Sequence, residues 1–197
     1  MLKRIGDTND GGKRGGRLKL TAAYVVKTAV MAALLTSLKL ALSFIPNVEV
    51  VTLLILVYAA VFGAAYALPA VLVFCCVEIS IYGVASWVLL YFIYWPLLAF
   101  GACIILKRRK TWKAVLYAVA MSAFFGVLSA CCDTLVTAAG FPDVNLAQYF
   151  AAYYVRGLYF DLVHCVSNLA VVAALFAPLC FAAERVKRAS APGNSCD

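Results

Sequence analysis

The sequence predicts an all-α integral membrane protein, a bundle of six transmembrane helices with both termini cytoplasmic. Three observations carry this. Of the 197 residues, 65% are hydrophobic and only 13% charged, with a mean hydropathy of +0.95, whereas a soluble domain holds roughly 25% charged residues. Apolar runs near the length of about 20 residues that a bilayer requires recur along the chain, separated by Pro, Gly and charge. The basic residues gather in three clusters that flank those runs, as the positive-inside rule demands.

Taken in order, the runs give six spans. The first extends from Leu20 to Phe44 and stops at Pro46. The second, Val48 to Tyr66, is bounded by Pro69, and the third runs from Pro69 to Ile81 near Gly83. The fourth, Ser86 to Leu106, meets the cluster Lys107, Arg108, Arg109 and Lys110. The fifth runs from Trp112 to Ala138 and ends at Gly140 and Pro142. The sixth begins in the aromatic stretch Tyr149–Tyr159 and ends at Glu184. Residues 1–19 then form a disordered basic cytoplasmic tail, 20–184 the membrane domain and 185–197 a cytoplasmic tail.

Charge fixes the count of spans. Lys3, Arg4, Lys13, Arg14, Arg17 and Lys19 precede the first span, the second cluster lies between spans four and five, and Arg185, Lys187 and Arg188 follow the sixth. Six crossings put all three on one side, while five or seven would split them. This distribution explains the formal charge of +8 without nucleic acid. The eight cysteines include adjacent pairs at Cys75–Cys76 and Cys131–Cys132, with no CxxC and a single His, so they read as small packing residues and neither a metal nor a cofactor is expected.

Ionisable groups in lipid cost roughly 2.5–3.5 kcal/mol each on insertion scales and usually face a cavity. Here they collect in the outer halves of the helices: Lys39, Glu49, Glu78, Asp133, Arg156, Asp161 and His164, with Asn168 beside them. Gly157, Asp161, His164 and Asn168 fall on one helical stripe. Trp87, Tyr91, Tyr94 and Trp95 share a face of span four, and Gly126, Ser129, Asp133 and Thr137 a face of span five. An aromatic face opposite fixed donors and acceptors suits a flat polar molecule, which predicts one pocket opening outward. Simpler roles exist for each group. Trp and Tyr form interfacial belts, Asn47 with Glu49 resembles a helix start, and Asp161 with His164 or Arg156 can be a structural pair. The small residues Ala29, Ala33, Ser37 and Ala41 repeat every fourth position, which lets a helix approach closely, either within the chain or from a partner.

In these features the chain resembles the substrate-binding S components of energy-coupling factor transporters. The resemblance covers Ala22 to Glu184. It is carried by the small-residue run at Ala29–Ala33, the stretch Ile45-Pro46-Asn47-Val48-Glu49-Val50-Val51-Thr52, and Phe160-Asp161-Leu162-Val163-His164 followed by Asn168, together with the six-helix plan. It implies a prokaryotic plasma-membrane subunit that binds a vitamin or related micronutrient at its outward face. The implied site is Asn47, Glu49, Glu78, Trp87, Tyr91, Trp95, Asp133, Asp161, His164 and Asn168. It further implies docking through Ala29, Ala33 and Ser37 onto a transmembrane coupling subunit served by two cytoplasmic ATPases. The chain has no GxxxxGK[ST] loop of its own, so it is not expected to be an enzyme.

The outer-half acids outnumber the bases, which favours a cationic ring, a thiamine-like compound for example, through cation–π contact, while protonation of one or two acids would remove that excess and leaves a flavin, a corrinoid or another vitamin open. Two other classes compete. A stand-alone secondary transporter would use Glu78, Asp133 or Asp161 to carry protons, and would show uptake driven by a pH gradient alone. An intramembrane hydrolase would need a positioned nucleophile, yet Ser129 has no GxSxG-type setting, and one His is too few for catalytic zinc.

Overall fold

The computed structural model describes residues 21–46 and 48–190, so Asn47 and the basic tail of residues 1–19 lie outside the described residues. The described residues form six helices joined by loops: α1 Ala22–Ala41, α2 Val51–Val61, α3 Ala64–Tyr82, α4 Ser86–Ile105, α5 Thr111–Gly140 and α6 Leu146–Ala189. All but α2 are long and apolar enough to cross a membrane.

Local signals explain the boundaries. Thr21 caps α1 by accepting from the Tyr24 N–H at 3.3 Å, and Asn145 caps α6 by accepting from the Gln148 N–H at 3.2 Å, each satisfying a donor that the first turn leaves open. Gly63 and Gly83 hold φ of 78° and 75°, a conformation that glycine adopts without the steric penalty of a Cβ. They end α2 and α3.

The second and third helices correct the sequence boundaries. The second span does not run from Val48 to Tyr66. It breaks at Gly63, and α3 starts at Ala64 with Pro69 inside it. Pro69 has no N–H to give to the carbonyl four residues back, that of Ala65. The Tyr24 hydroxyl donates to that carbonyl instead, at 2.7 Å. A neighbouring side chain thus replaces the bond that the proline removes, and the proline ceases to be a terminator. At 11 residues and about 1.5 Å of rise per residue, α2 is only about half as long as the hydrocarbon core is thick. Ten of its residues are buried, because the other five helices surround it.

Consecutive helices run antiparallel, and the contacts between their ends show it. At one end Tyr24 meets Ala65, Arg109 Nε donates to the Ala60 carbonyl at 3.0 Å, and Lys187 Nζ donates to the Val61 carbonyl at 2.6 Å. Arg109 also pairs with Glu184 there. This end therefore collects the start of α1, the α4–α5 loop with its basic cluster, and the end of α6. At the other end Lys39 of α1 pairs with Glu78 of α3, and Ser86 at the start of α4 donates to Asp133 of α5.

The last two helices outrun the rest. At about 1.5 Å per residue, the 44 residues of α6 extend to more than twice the thickness of a hydrocarbon core of about 30 Å. It starts at Leu146, three residues before the expected aromatic stretch, and continues past Glu184 to Ala189. Its buried residues, His164, Asn168, Val172, Phe176 and Cys180, begin only at His164, so its first 18 residues bury none. Those of α5 end at Ala130. Beyond these points the two helices pack chiefly on each other.

Candidate binding site

A cavity of about 320 Å³ lies at the end opposite the described basic clusters, and every helix contributes to its wall. Lys39 comes from α1, Val51 from α2, Tyr82 from α3, Trp87, Tyr91 and Trp95 from α4, Phe125 from α5 and His164 from α6. The α1–α2 loop supplies Ser43, Ile45, Pro46, Val48 and Glu49. The first helix ends at Ala41, five residues before Pro46, and the loop that follows brings Glu49 to the buried start of α2.

Glu49 is the polar centre. Its Oε2 accepts from the Thr52 N–H at 2.7 Å, at the positive end of α2, and its Oε1 accepts from His164 Nε2 at 3.2 Å and Asn168 Nδ2 at 3.0 Å. The second Asn168 N–H goes to Ser122 Oγ at 2.8 Å. Three of the roughly four acceptor positions of the carboxylate are thus filled by the protein. The acid lies more than 110 residues before the histidine and the amide in the chain, and the three form one network, in which each bond polarises the next. His164 Nδ1 and Trp95 Nε1 remain buried without hydrogen-bond partners.

Lys39 forms the second polar group. Its ammonium pairs with Glu78, whose side chain is fully buried. It also stands over three rings, with Nζ at 4.5 Å from the centroid of Tyr82, 5.3 Å from Trp87 and 5.2 Å from Tyr91. Those rings are braced edge to face: Tyr82 on Trp87, Trp87 on Tyr91 and Tyr91 on Trp95, with centroids 5.2–5.5 Å apart. The aromatic face on α4 that the sequence spacing predicts is a cage, and the chain's own lysine occupies it.

The residues expected to share one pocket separate into three environments. Glu49, Trp87, Tyr91, Trp95 and His164 line the cavity together. Glu78 and Asn168 lie behind its wall, each bonded to a residue that does line it. Asp133 and Asp161 lie elsewhere. Asp133 accepts from the Ser86 hydroxyl at 2.5 Å and from the Tyr149 hydroxyl at 2.6 Å, which ties together the starts of α4 and α6. Asp161 lines a second cavity of about 530 Å³ between α5 and α6, with Gly126, Ser129, Tyr149, Tyr153 and Arg156. The single-pocket expectation fails because the second cavity is walled by α5 and α6 alone, so residues on one stripe of α6 reach two separate sites. Phe125 borders both cavities.

Gly126 has a steric role: a Cβ there would collide with the Asp161 carboxylate. Lys39, Tyr82, Phe125 and Ser122 complete the site without having been singled out as site residues. Lys39 was visible as an outer-half charge, but its place over the rings depends on how α1 packs against α3 and α3 against α4. No group of three or more His, Cys, Asp or Glu side chains able to hold a metal occurs among the described residues.

The stripe Ala29, Ala33, Ser37 and Ala41 faces outward and is exposed, so packing within the chain does not account for it. No protein family, curated protein or solved structure matches this chain.

Proposed function

We propose that this chain is the membrane-embedded substrate-capture subunit of an ATP-driven importer of the energy-coupling factor type. It would take a small water-soluble vitamin or related micronutrient at the outward face of a prokaryotic plasma membrane. The observation that carries the reading is the cavity around Glu49, Lys39 and the α4 rings. It opens at the end opposite the described basic clusters, and the positive-inside rule makes that end the outer one. Its volume lies near the lower limit of the range of about 300–1,000 Å³ common for small-molecule pockets.

The remaining parts follow from the same geometry. The α1–α2 loop lines the cavity with Ser43, Ile45, Pro46, Val48 and Glu49, within reach of a ligand. The exposed small-residue stripe on α1 offers a close-packing surface for a transmembrane coupling subunit. The driving energy would come from two partner ATPases.

Two experiments test this. The purified chain, analysed by native mass spectrometry, should carry a small molecule that denaturation releases. A chain that never carries or retains one defeats the reading. In cells, Ala33→Trp should leave binding intact and block uptake, and uptake at the level of the parent chain would remove the docking role.

The buried Lys39–Glu78 pair favours a second reading, in which the chain alone exchanges protons for substrate. Uptake into vesicles containing only this chain, driven by a pH gradient, would select it.

A further inference from the structure

The following rests on the substrate-capture reading and concerns the charge of what is captured. An excess of acids beside aromatic rings points toward a cationic ligand, but the arrangement of the side chains points the other way. A ligand cation would seek ring faces or a carboxylate, and here three of the rings already face Lys39 and most acceptor positions of Glu49 are filled. Lys39 Nζ lies within 5.3 Å of the centroids of Tyr82, Trp87 and Tyr91, inside the distance of about 6 Å at which a cation is held by a ring. A second cation in the same cage would stand beside the first. Glu49 already accepts from Thr52, His164 and Asn168, and Glu78 is sealed behind Lys39 with no exposed side-chain surface.

What the cavity offers is a donor. The Lys39 side chain keeps 17% of its surface exposed, and one of its three N–H groups is used by Glu78. The rings beside it give flat apolar area on which a ring can pack edge to face or offset. We propose that the ligand of this cavity is a flat ring without a fixed positive charge, uncharged or anionic, whose carbonyl or carboxylate oxygen accepts from Lys39 Nζ. Lys39 then sets specificity twice, by bonding an acceptor and by repelling a cation.

The test uses the purified full-length chain in detergent, equilibrated with a mixture of water-soluble vitamins and analogues at equal concentration. Thiamine and 1-methylnicotinamide represent fixed cations, riboflavin and nicotinamide uncharged rings, and nicotinate and folate anionic ones. Compounds that stay with the protein through gel filtration are quantified by mass spectrometry. The parent chain should retain an uncharged or anionic ring at least tenfold over either cation, and Lys39→Met should lower that retention at least tenfold. Since Lys39→Met strands a buried carboxylate, Lys39→Met/Glu78→Gln serves as the variant that folds without it and should show the same loss. Retention of thiamine or 1-methylnicotinamide at or above the other classes overturns the charge inference alone. Full retention in both Lys39 variants overturns the role of the lysine. Retention of no compound by the parent chain defeats the capture reading, and this inference with it.

Discussion

The two cavities that meet at Phe125 draw on similar side chains, each combining Tyr rings, a carboxylate and a basic group, yet their charges are treated differently. In the smaller cavity Glu49 has three donors and Lys39 has Glu78. In the larger one Asp161 Oδ2 is buried with no hydrogen-bond partner. The number of helices explains the difference. Six helices and a loop converge on the first cavity, so donors reach Glu49 from α2 and α6 and an acid reaches Lys39 from α3. Only α5 and α6 wall the second. A charge placed where many elements meet can be matched from several directions, whereas a charge between two helices depends on what those two happen to carry.

The strongest test of this contrast is Lys39→Met. Removing one partner of a buried ion pair costs about 3–5 kcal/mol, because the other charge is left uncompensated. Thermal unfolding in detergent should show that loss, with most of it recovered in Lys39→Met/Glu78→Met. A single variant as stable as the parent would mean that the pair contributes nothing.

Glu49→Gln should come next. It keeps the shape but weakens hydrogen bonds to a charged acceptor, each worth about 1.5–3 kcal/mol. Both the melting temperature and ligand retention should fall. If retention is unchanged, Glu49 does not shape the site.

The second cavity should respond differently. Gly126→Ala forces a methyl group against Asp161, an overpacking that costs about 1–3 kcal/mol. It should lower stability while ligand retention in the first cavity stays within about twofold after correction for the folded fraction. A larger loss of retention would show that the two cavities act as one.

Asp161→Asn should do least. The carboxylate has no hydrogen bond to lose at Oδ2, so stability should not fall, and retention should not change. Loss of retention with Asp161→Asn would return Asp161 to the ligand site, where the stripe spacing alone had placed it.

The legible and illegible parts of the site divide along physical lines. Helical spacing correctly put Trp87, Tyr91 and Trp95 on one inward face of α4, and His164 and Asn168 on one inward face of α6. Periodicity reports which residues share a face, and lipid makes inward faces polar. Spacing carries no information on which neighbouring helices a residue meets, so Asp161 and Asp133 were grouped with His164 although the structure holds them apart. The Pro69 boundary failed for a related reason. A proline removes one hydrogen bond wherever it stands, and whether the helix stops there depends on a substitute donor. Here the donor is Tyr24, 45 residues earlier in the chain.

Composition by itself determined that the chain is helical and apolar enough for a membrane, since no soluble fold can cover so much hydrophobic surface. Apart from the first cluster, outside the described residues, charge placement predicted which loops and chain ends lie together, and the structure brings them together. Tertiary packing alone decided the pairings: Lys39 with Glu78 and three rings, Glu49 with His164 and Asn168, Asp161 with neither group. A sequence fixes the chemistry of each face through local periodicity, but which faces meet, and at what depth, depends on helix length, register and crossing.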